Sequence, residues 1–130
     1  MGSVVDFRGA RVLIVEDNFL VAEDLSAMIT ASGGTVIGPA GDAMRACALT
    51  DVAGPDVAVL DVKLHESDSR AVMDELERHH VPFLVLTAYE QAGLPSCFGG
   101  VPYLSKPFMK DDLLRLLVTL LPRPATRFPT

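Results

Sequence analysis

Three short runs in which every residue is apolar constrain most strongly what this chain can fold into. The runs cover residues 12–15 (VLIV), 57–60 (VAVL) and 83–86 (FLVL). An uninterrupted apolar run of this length predicts a strand with both faces covered, which is typical of a parallel sheet between two layers of helices. Because helical patterns separate the runs, we expect an α/β three-layer sandwich.

Two weaker strands complete the predicted sheet. Residues 35–37 (TVI) form a short run that ends at Gly38. Residues 101–104 (VPYL) contain Pro102, which lacks a backbone donor and therefore suits an edge strand. The sheet is thus expected to have five strands, the second and fifth being less regular than the other three.

The predicted helices differ in how regular their sequence patterns are. The segment 91–100 contains Gly93 and Pro95 among other helix breakers, so we expect the fourth helix to be short or irregular. Leucines repeat at helical spacing near the end of the chain, and Asp111 or Asp112 is expected to cap that last helix.

The composition is that of one globular domain. Of the 130 residues, 49% are hydrophobic and 22% are charged, which is near the average for folded domains. We expect the domain to cover residues 9–121. An N-terminal extension (1–8) would precede it, and a loose, proline-containing tail (122–130) without an output domain would follow it.

The charge and the cysteine count exclude several classes of protein. The formal net charge is −6, which argues against nucleic acid and against an anionic membrane surface as partners. No apolar run is long enough for a membrane span, and the first ten residues contain no apolar signal segment. Cys47 and Cys97 form no recognisable disulfide framework, so we expect a cytoplasmic protein.

Polar residues with related chemistry follow four of the predicted strands. Glu16 and Asp17 follow the first strand, Asp61 the third, Thr87 the fourth and Lys106 the fifth. The carboxyl ends of parallel strands line one crevice, so these side chains are expected to meet there. Clustered carboxylates favour a hard cation such as Mg²⁺. With a lysine and a hydroxyl beside them, they could transfer a phosphoryl group to a carboxylate.

The order of these residues resembles the receiver domain of bacterial two-component response regulators. The resemblance covers about residues 9–121 and rests on 12–18 (VLIVEDN), Asp61, 87–88 (TA) and 106–108 (KPF). It implies a flavodoxin-like (βα)5 fold with sheet order 2-1-3-4-5. It also implies that Asp61 accepts a phosphoryl group from a histidine kinase. Such a domain catalyses its own Mg²⁺-dependent phosphorylation and autodephosphorylation, without turnover of a separate substrate.

The resemblance further implies a set of metal ligands. Asp17 and Asp61 would bind Mg²⁺ directly, together with the backbone carbonyl of Lys63. Glu16 would reach the ion through a water molecule.

It implies two residues that contact the phosphoryl oxygens and a switching pair. Thr87 and Lys106 would contact the phosphoryl oxygens. Thr87 would shift together with Tyr103, which stands at the position of a switch aromatic. The Lys106–Pro107 peptide bond is often cis in such domains.

Residues 81–89 (VPFLVLTAY) are similar to those of the FAT GUY subgroup of single-domain receivers, which has a Thr-Gly-Tyr motif at the fourth strand. The segment 93–100 (GLPSCFGG) also fits, whereas Ala88 stands where the subgroup has glycine. The implied partners are a histidine kinase of the HWE or a related type and a downstream regulatory protein or histidine phosphotransferase. The sequence leaves open whether activation produces a homodimer.

Other functions are alternatives at this point. The domain could be a phosphate sink, a phosphorelay intermediate or a pseudo-receiver that is never phosphorylated, although the complete set of polar residues argues against the last. A haloacid-dehalogenase-type phosphatase needs an aspartate two residues after the nucleophile, and Lys63 stands there. A flavodoxin-like cofactor binder needs a phosphate-binding loop, whereas residues 16–18 (EDN) would repel a phosphate.

Two adjacent histidines near the end of the third helix invite a metal-binding hypothesis. His79 and His80 are neighbours in the sequence, and neighbouring residues of a helix point about 100° apart. We therefore interpret them as residues that interact favourably with the helix C-terminus rather than as a ligand pair.

Overall fold

The computed structural model describes residues 5–61, 66–87 and 101–122, apart from the side chains of residues 66 and 67. Strands and helices alternate within these ranges. The strands are β1 (Arg11–Val15), β2 (Thr35–Ala40), β3 (Val57–Asp61), β4 (Phe83–Thr87) and β5 (Tyr103–Ser105). The helices are α1 (Phe19–Ala31), α2 (Ala43–Ala53), α3 (Glu66–Arg78) and α4 (Lys110–Leu120).

The strands form one parallel sheet in the order β2-β1-β3-β4-β5. Val12 of β1 pairs with Val36 on one side and with Val57 on the other. At the far edge, Val85 of β4 pairs with Tyr103 of β5. The predicted flavodoxin-like fold and its strand order are therefore confirmed.

The side chains of the central strands alternate between two cores. Leu13 and Leu60 lie in the core that α2 and α3 cover, whereas Ile14 and Val59 lie in the core that α1 and α4 cover. Residues 12–15, 57–60 and 83–86 of these strands are buried on both faces of the sheet, which explains why every one of them is apolar. The burial of each valine, leucine, isoleucine or phenylalanine among them contributes about 1.5–3 kcal/mol.

β2 extends further than the sequence indicated. The prediction that this strand ends at Gly38 was wrong, because the strand continues to Ala40. Gly38 has φ +92°, and a Cβ at this position would lie 2.8 Å from the backbone nitrogen of Ala40. Only glycine fits here, and Pro39 is tolerated because β2 is an edge strand.

The start of α4 also differs from the prediction. Met109 occupies the N-cap position and makes no side-chain capping hydrogen bond. Asp111 and Asp112, either of which was expected to be the cap, lie in the first turn instead. Carboxylates are favourable there because the N-terminus of a helix carries partial positive charge.

Several sequence-based expectations concern the ends and one internal segment. Phe7, within the predicted N-terminal extension, is 2% exposed and packs in the core between the sheet and helices α1 and α4. The expected irregular fourth helix (91–100) and nearly all of the expected tail lie outside the described residues. In the parts of the chain that the structure describes, no helix has the length and apolarity needed to cross a membrane.

Candidate functional site

The carboxyl ends of β1, β3, β4 and β5 position the polar residues that the sequence singled out. Asp61 is the last residue of β3 and pairs with Leu86 of β4. Thr87 is the last residue of β4 and pairs with Ser105 of β5. Because each polar residue ends its own strand, parallel pairing brings them to one edge of the sheet.

The ion pair between Asp61 and Lys106 lies at the centre of this edge. Lys106 Nζ lies 2.5 Å from Asp61 Oδ2, and the Asp61 side chain is only 3% exposed. The backbone N–H of Lys106 donates to the Thr87 carbonyl at 2.7 Å. This bond extends the pairing of β4 with β5, which holds Lys106 beside the end of β4. The Lys106–Pro107 peptide bond is cis, as the resemblance led us to expect.

Glu16 provides a second buried carboxyl group beside Asp61. Its side chain is buried, and Oε2 accepts a hydrogen bond from the backbone N–H of Asn18 at 2.9 Å. Oε1 has no hydrogen-bond partner among the described residues. Burial, together with the neighbouring Asp61, raises the pKa of Glu16 to about 8. A second ionised carboxylate beside Asp61 is therefore disfavoured, because Lys106 alone does not balance both charges.

The arrangement fits a hard divalent cation. A buried carboxylate oxygen without a partner costs free energy unless a cation or a donor approaches it, and Glu16 Oε1 is such an atom. The available donors are carboxylate oxygens, which Mg²⁺ prefers. Asp17 is exposed and follows Glu16 directly at the same edge. Lys63, expected to contribute its carbonyl, lies outside the described residues.

The two proposed switch residues occupy adjacent strands. Thr87 is 1% exposed at the end of β4. Tyr103 is half-buried at the start of β5 and packs against the core that α2 and α3 cover. Tyr103 pairs with Val85, two residues before Thr87, so both side chains belong to the β4–β5 edge of the sheet.

Sequence analysis missed the contribution of Asn18. Its side chain accepts hydrogen bonds from the N–H groups of Leu20 and Val21, which caps α1. Its own N–H binds Glu16. Asn is a preferred N-cap residue, and its position just before the helical pattern of α1 was the available signal. Asn18 thus joins the start of α1 to the carboxyl group at the end of β1.

Comparison with known proteins identifies relatives with this architecture. The chain is 36% identical over 108 residues to the transcriptional regulatory protein PdtaR of Mycobacterium tuberculosis, covering 80% of this chain and 53% of PdtaR. It superposes on the response regulator PhyR from Brucella abortus with a TM-score of 0.76 at 26% identity, covering 91% of this chain and 50% of PhyR. For the Vibrio cholerae chemotaxis protein CheY4, the TM-score is 0.74 at 27% identity, covering 87% of this chain and 99% of CheY4.

The chain spans about half the length of its curated relative PdtaR. The family model described as the response regulator receiver domain matches residues 12–118, which include Glu16, Asp61 and Lys106. On this match and the relatives above, the chain belongs to the response regulator receiver domains of two-component signalling.

Proposed function

We propose that Asp61 of this receiver domain accepts a phosphoryl group from the phosphohistidine of a histidine kinase. The observation that carries the proposal is the buried Asp61 carboxylate, which lies 2.5 Å from the Lys106 ammonium group and beside the partnerless oxygen of Glu16. A carboxylate that is buried yet paired with a cation is held in its charged, nucleophilic form.

The proposed reaction is a displacement at phosphorus. A carboxylate oxygen of Asp61 attacks the phosphorus atom and forms an O–P bond. The P–N bond of the donor breaks, and its electron pair remains on the imidazole nitrogen. Lys106, held in place by its backbone hydrogen bond to Thr87, would bind a phosphoryl oxygen, and the Thr87 hydroxyl would donate to another.

Four residues would hold the divalent cation in this proposal. Asp17, Asp61 and the Lys63 carbonyl would bind Mg²⁺ directly, and Glu16 would bind it through water. When bound, Mg²⁺ supplies positive charge that offsets the charge on the phosphoryl oxygens. The burial of Glu16 supports this assignment. Burial raises the pKa of its carboxyl group, and a nearby cation stabilises the ionised form.

Thr87 and Tyr103 are proposed to couple phosphorylation to the protein surface. Once the phosphoryl group is present, the Thr87 hydroxyl would move towards it, and the Tyr103 ring would fill the space behind. The half-buried position of Tyr103 supports this idea, since a ring at the edge of the core has room to change its exposure. The ring resonances of Tyr103 should shift on phosphorylation in the wild type and stay in place in Thr87→Val.

The proposed partners follow from the finer resemblance and from the relatives. We propose a kinase of the HWE or a related type, as for the FAT GUY subgroup, and a cytoplasmic setting. The similarity to PhyR of Bartonella quintana, which is described as an anti-anti-sigma factor, supports output through a protein contact. A histidine phosphotransferase as the next acceptor, or a role as phosphate sink, would use the same chemistry at Asp61.

Intact-mass spectrometry after incubation with acetyl phosphate and Mg²⁺ tests the phosphoacceptor. We expect one phosphoryl adduct in the wild type, none in Asp61→Asn, and none when a chelator is present. Asp24→Asn, a change at an exposed aspartate of α1, is the matched control and should behave as the wild type.

Two outcomes would contradict the proposal. An adduct that persists in Asp61→Asn would place the acceptor elsewhere. A chain that gives no adduct with acetyl phosphate or with phosphorylated HWE-type and related kinases, and that binds no Mg²⁺, would be a pseudo-receiver.

A further inference from the structure

A second group of charged side chains lies between α2 and α3, remote from the phosphoacceptor site. It consists of Asp51 near the end of α2, Glu75 near the end of α3 and His79 just beyond α3. The ends of α2 and α3 lead into β3 and β4, so this group faces the amino ends of the strands. Asp61 and Lys106 lie at the opposite, carboxyl ends.

We propose that Asp51, Glu75 and His79 bind a divalent transition-metal ion of the zinc class. Among the described residues, they are the three His, Cys, Asp or Glu side chains whose donor atoms all lie within 4.8 Å of one another. One imidazole and two carboxylates form a donor set suited to Zn²⁺ and chemically different from the all-oxygen site around Asp61.

The distances between donor atoms support this assignment. His79 Nε2 lies 3.2 Å from Glu75 Oε2 and 3.5 Å from Asp51 Oδ1. Two ligand bonds of about 2.1 Å that meet at the tetrahedral angle place their donor atoms about 3.4 Å apart. The imidazole nitrogen is therefore already spaced from both carboxylates as a tetrahedral ion requires, and the two carboxylate donor atoms lie within 4.8 Å of each other.

The local structure explains why these residues meet. Glu75 and His79 are four residues apart, and His79 N–H donates to the Glu75 carbonyl at 3.2 Å, so helical geometry carries on to His79. Residues four apart lie on one face of a helix, here the face towards α2. The adjacent His80 has φ +59° and lines a different surface with Phe83 and Leu120.

The exposure of the three side chains leaves room for an ion to enter. The side chain of Glu75 is 15% exposed, that of His79 30% and that of Asp51 65%. Three protein ligands and an open side facing solvent match a zinc ion that keeps a water molecule as its fourth ligand.

Arg78 competes with a metal ion for the carboxylate of Glu75. It pairs with Glu75 through Oε1, whereas His79 approaches Oε2. An ion on Oε2 can therefore bind while Arg78 keeps Oε1, which would orient the carboxylate as a hydrogen-bonding neighbour does in many metal sites. The positive charge of Arg78 still opposes a cation, so Arg78→Gln should bind the ion more tightly than the wild type.

Without a metal, the same distances describe contacts of the His79 imidazole with two carboxylates. A metal ion and a proton compete for the same lone pair of Nε2, so the two interpretations differ in what they bind.

The test is a titration of the metal-stripped full chain with Co²⁺ and with Zn²⁺ in excess Mg²⁺, which occupies the acidic site at Asp61. We expect one equivalent to bind, with the visible absorption of tetrahedral Co²⁺. His79→Gln should weaken binding by more than about tenfold. His80→Asn, which suits the left-handed conformation at that position, is the matched control and should leave the affinity unchanged.

Further variants keep the proposal falsifiable if His79→Gln perturbs folding. Asp51→Asn alters the most exposed ligand, and it should weaken binding while leaving the circular dichroism spectrum unchanged. The proposal is wrong if no Co²⁺ or Zn²⁺ binds beyond the Mg²⁺ site, if His79→Gln and His80→Asn have equal effects, or if neither His79→Gln nor Asp51→Asn weakens binding.

Discussion

Glu16 and Glu75 each lie beside an aspartate and a cationic side chain, yet their pKa values move in opposite directions. Burial and the neighbouring Asp61 raise the pKa of Glu16 to about 8. The hydrogen bond from Arg78 lowers the pKa of Glu75. Glu16 directly follows a buried strand, at the carboxyl edge of the sheet. Glu75 lies on a helix, where the exposed side chain of Arg78 pairs with it.

The comparison shows that position in the fold, and not residue type, decides what a carboxylate can do. At the buried edge of the sheet, Lys106 is the cation that the described residues supply, and it pairs with Asp61. Glu16 keeps an oxygen without a partner among the described residues, so this edge is poised to receive an external cation. Asp51, Glu75 and His79 form the second cluster, which lies at the α2–α3 seam. There Arg78 of the chain itself pairs with Glu75, and an external metal ion must compete with it.

The largest expected effect concerns Lys106, the lysine that pairs with Asp61 at the buried site. Lys106→Met keeps the length and apolar stem of the side chain but removes the charge 2.5 Å from Asp61. We expect phosphorylation by acetyl phosphate to slow by about 10²-fold, as when one preorganised donor to developing charge is lost. The rate of adduct formation by mass spectrometry measures this.

Lys110→Met is the matched control for that experiment, because Lys110 is exposed at the start of α4. Its rate should equal that of the wild type. If the two lysine variants were equally active, the contrast between the buried edge and the rest of the surface would not hold for phosphoryl transfer.

An intermediate effect is expected from the buried glutamate in the absence of metal. Glu16→Gln keeps an oxygen that can accept from the Asn18 N–H, and it adds an amide donor that can face Asp61. At neutral pH the folded protein binds a proton at Glu16 that the unfolded chain does not, because folding raises the pKa of Glu16 from 4.5 to about 8. The amide needs no proton, so Glu16→Gln should stabilise the metal-free protein by about 1–2 kcal/mol. Urea denaturation with a chelator at neutral pH measures the free energy of unfolding.

The same variant should gain less stability than the wild type when Mg²⁺ is added. A neutral amide is a weaker ligand than a carboxylate, so Mg²⁺ should raise the melting temperature of Glu16→Gln less than that of the wild type. A metal-free variant that is less stable than the wild type would show that Glu16 is already satisfied without a cation.

The buried site was largely predictable from the sequence, and the seam was not. Apolar runs fixed the parallel strands, and the rule that strand ends converge then placed Asp61, Thr87 and Lys106 together. The partnership of Asn18 with Glu16 depends on local backbone geometry and was missed, although Asn18 was recognisable as a cap.

The α2–α3 cluster was missed for a different reason. The sequence shows Glu75 and His79 at a spacing of four, but we compared His79 with its neighbour His80, which points elsewhere. Asp51 comes from another helix, and its approach depends on how α2 and α3 rotate against each other. That rotation follows from the packing of many core side chains, which residue spacing along the chain does not encode.

The smallest effect is expected at the seam. Glu75→Gln removes a carboxylate whose pKa is lowered in the folded protein, first by Arg78 and then by His79. A carboxylate with a lowered pKa stabilises the fold above its unfolded pKa of about 4.5, and this contribution is lost as the pH falls through the lower folded value. In the presence of a chelator, Glu75→Gln should therefore melt slightly below the wild type at neutral pH. The difference in melting temperature should close as the pH falls below about 4.5.

Glu77→Gln, at an exposed glutamate of the same helix, is the control and should show no such difference in melting temperature. A Glu75→Gln variant that melts above the wild type at neutral pH would mean that an ionised Glu75, like an ionised Glu16, is unfavourable in the folded protein, and the contrast between the two glutamates would fail.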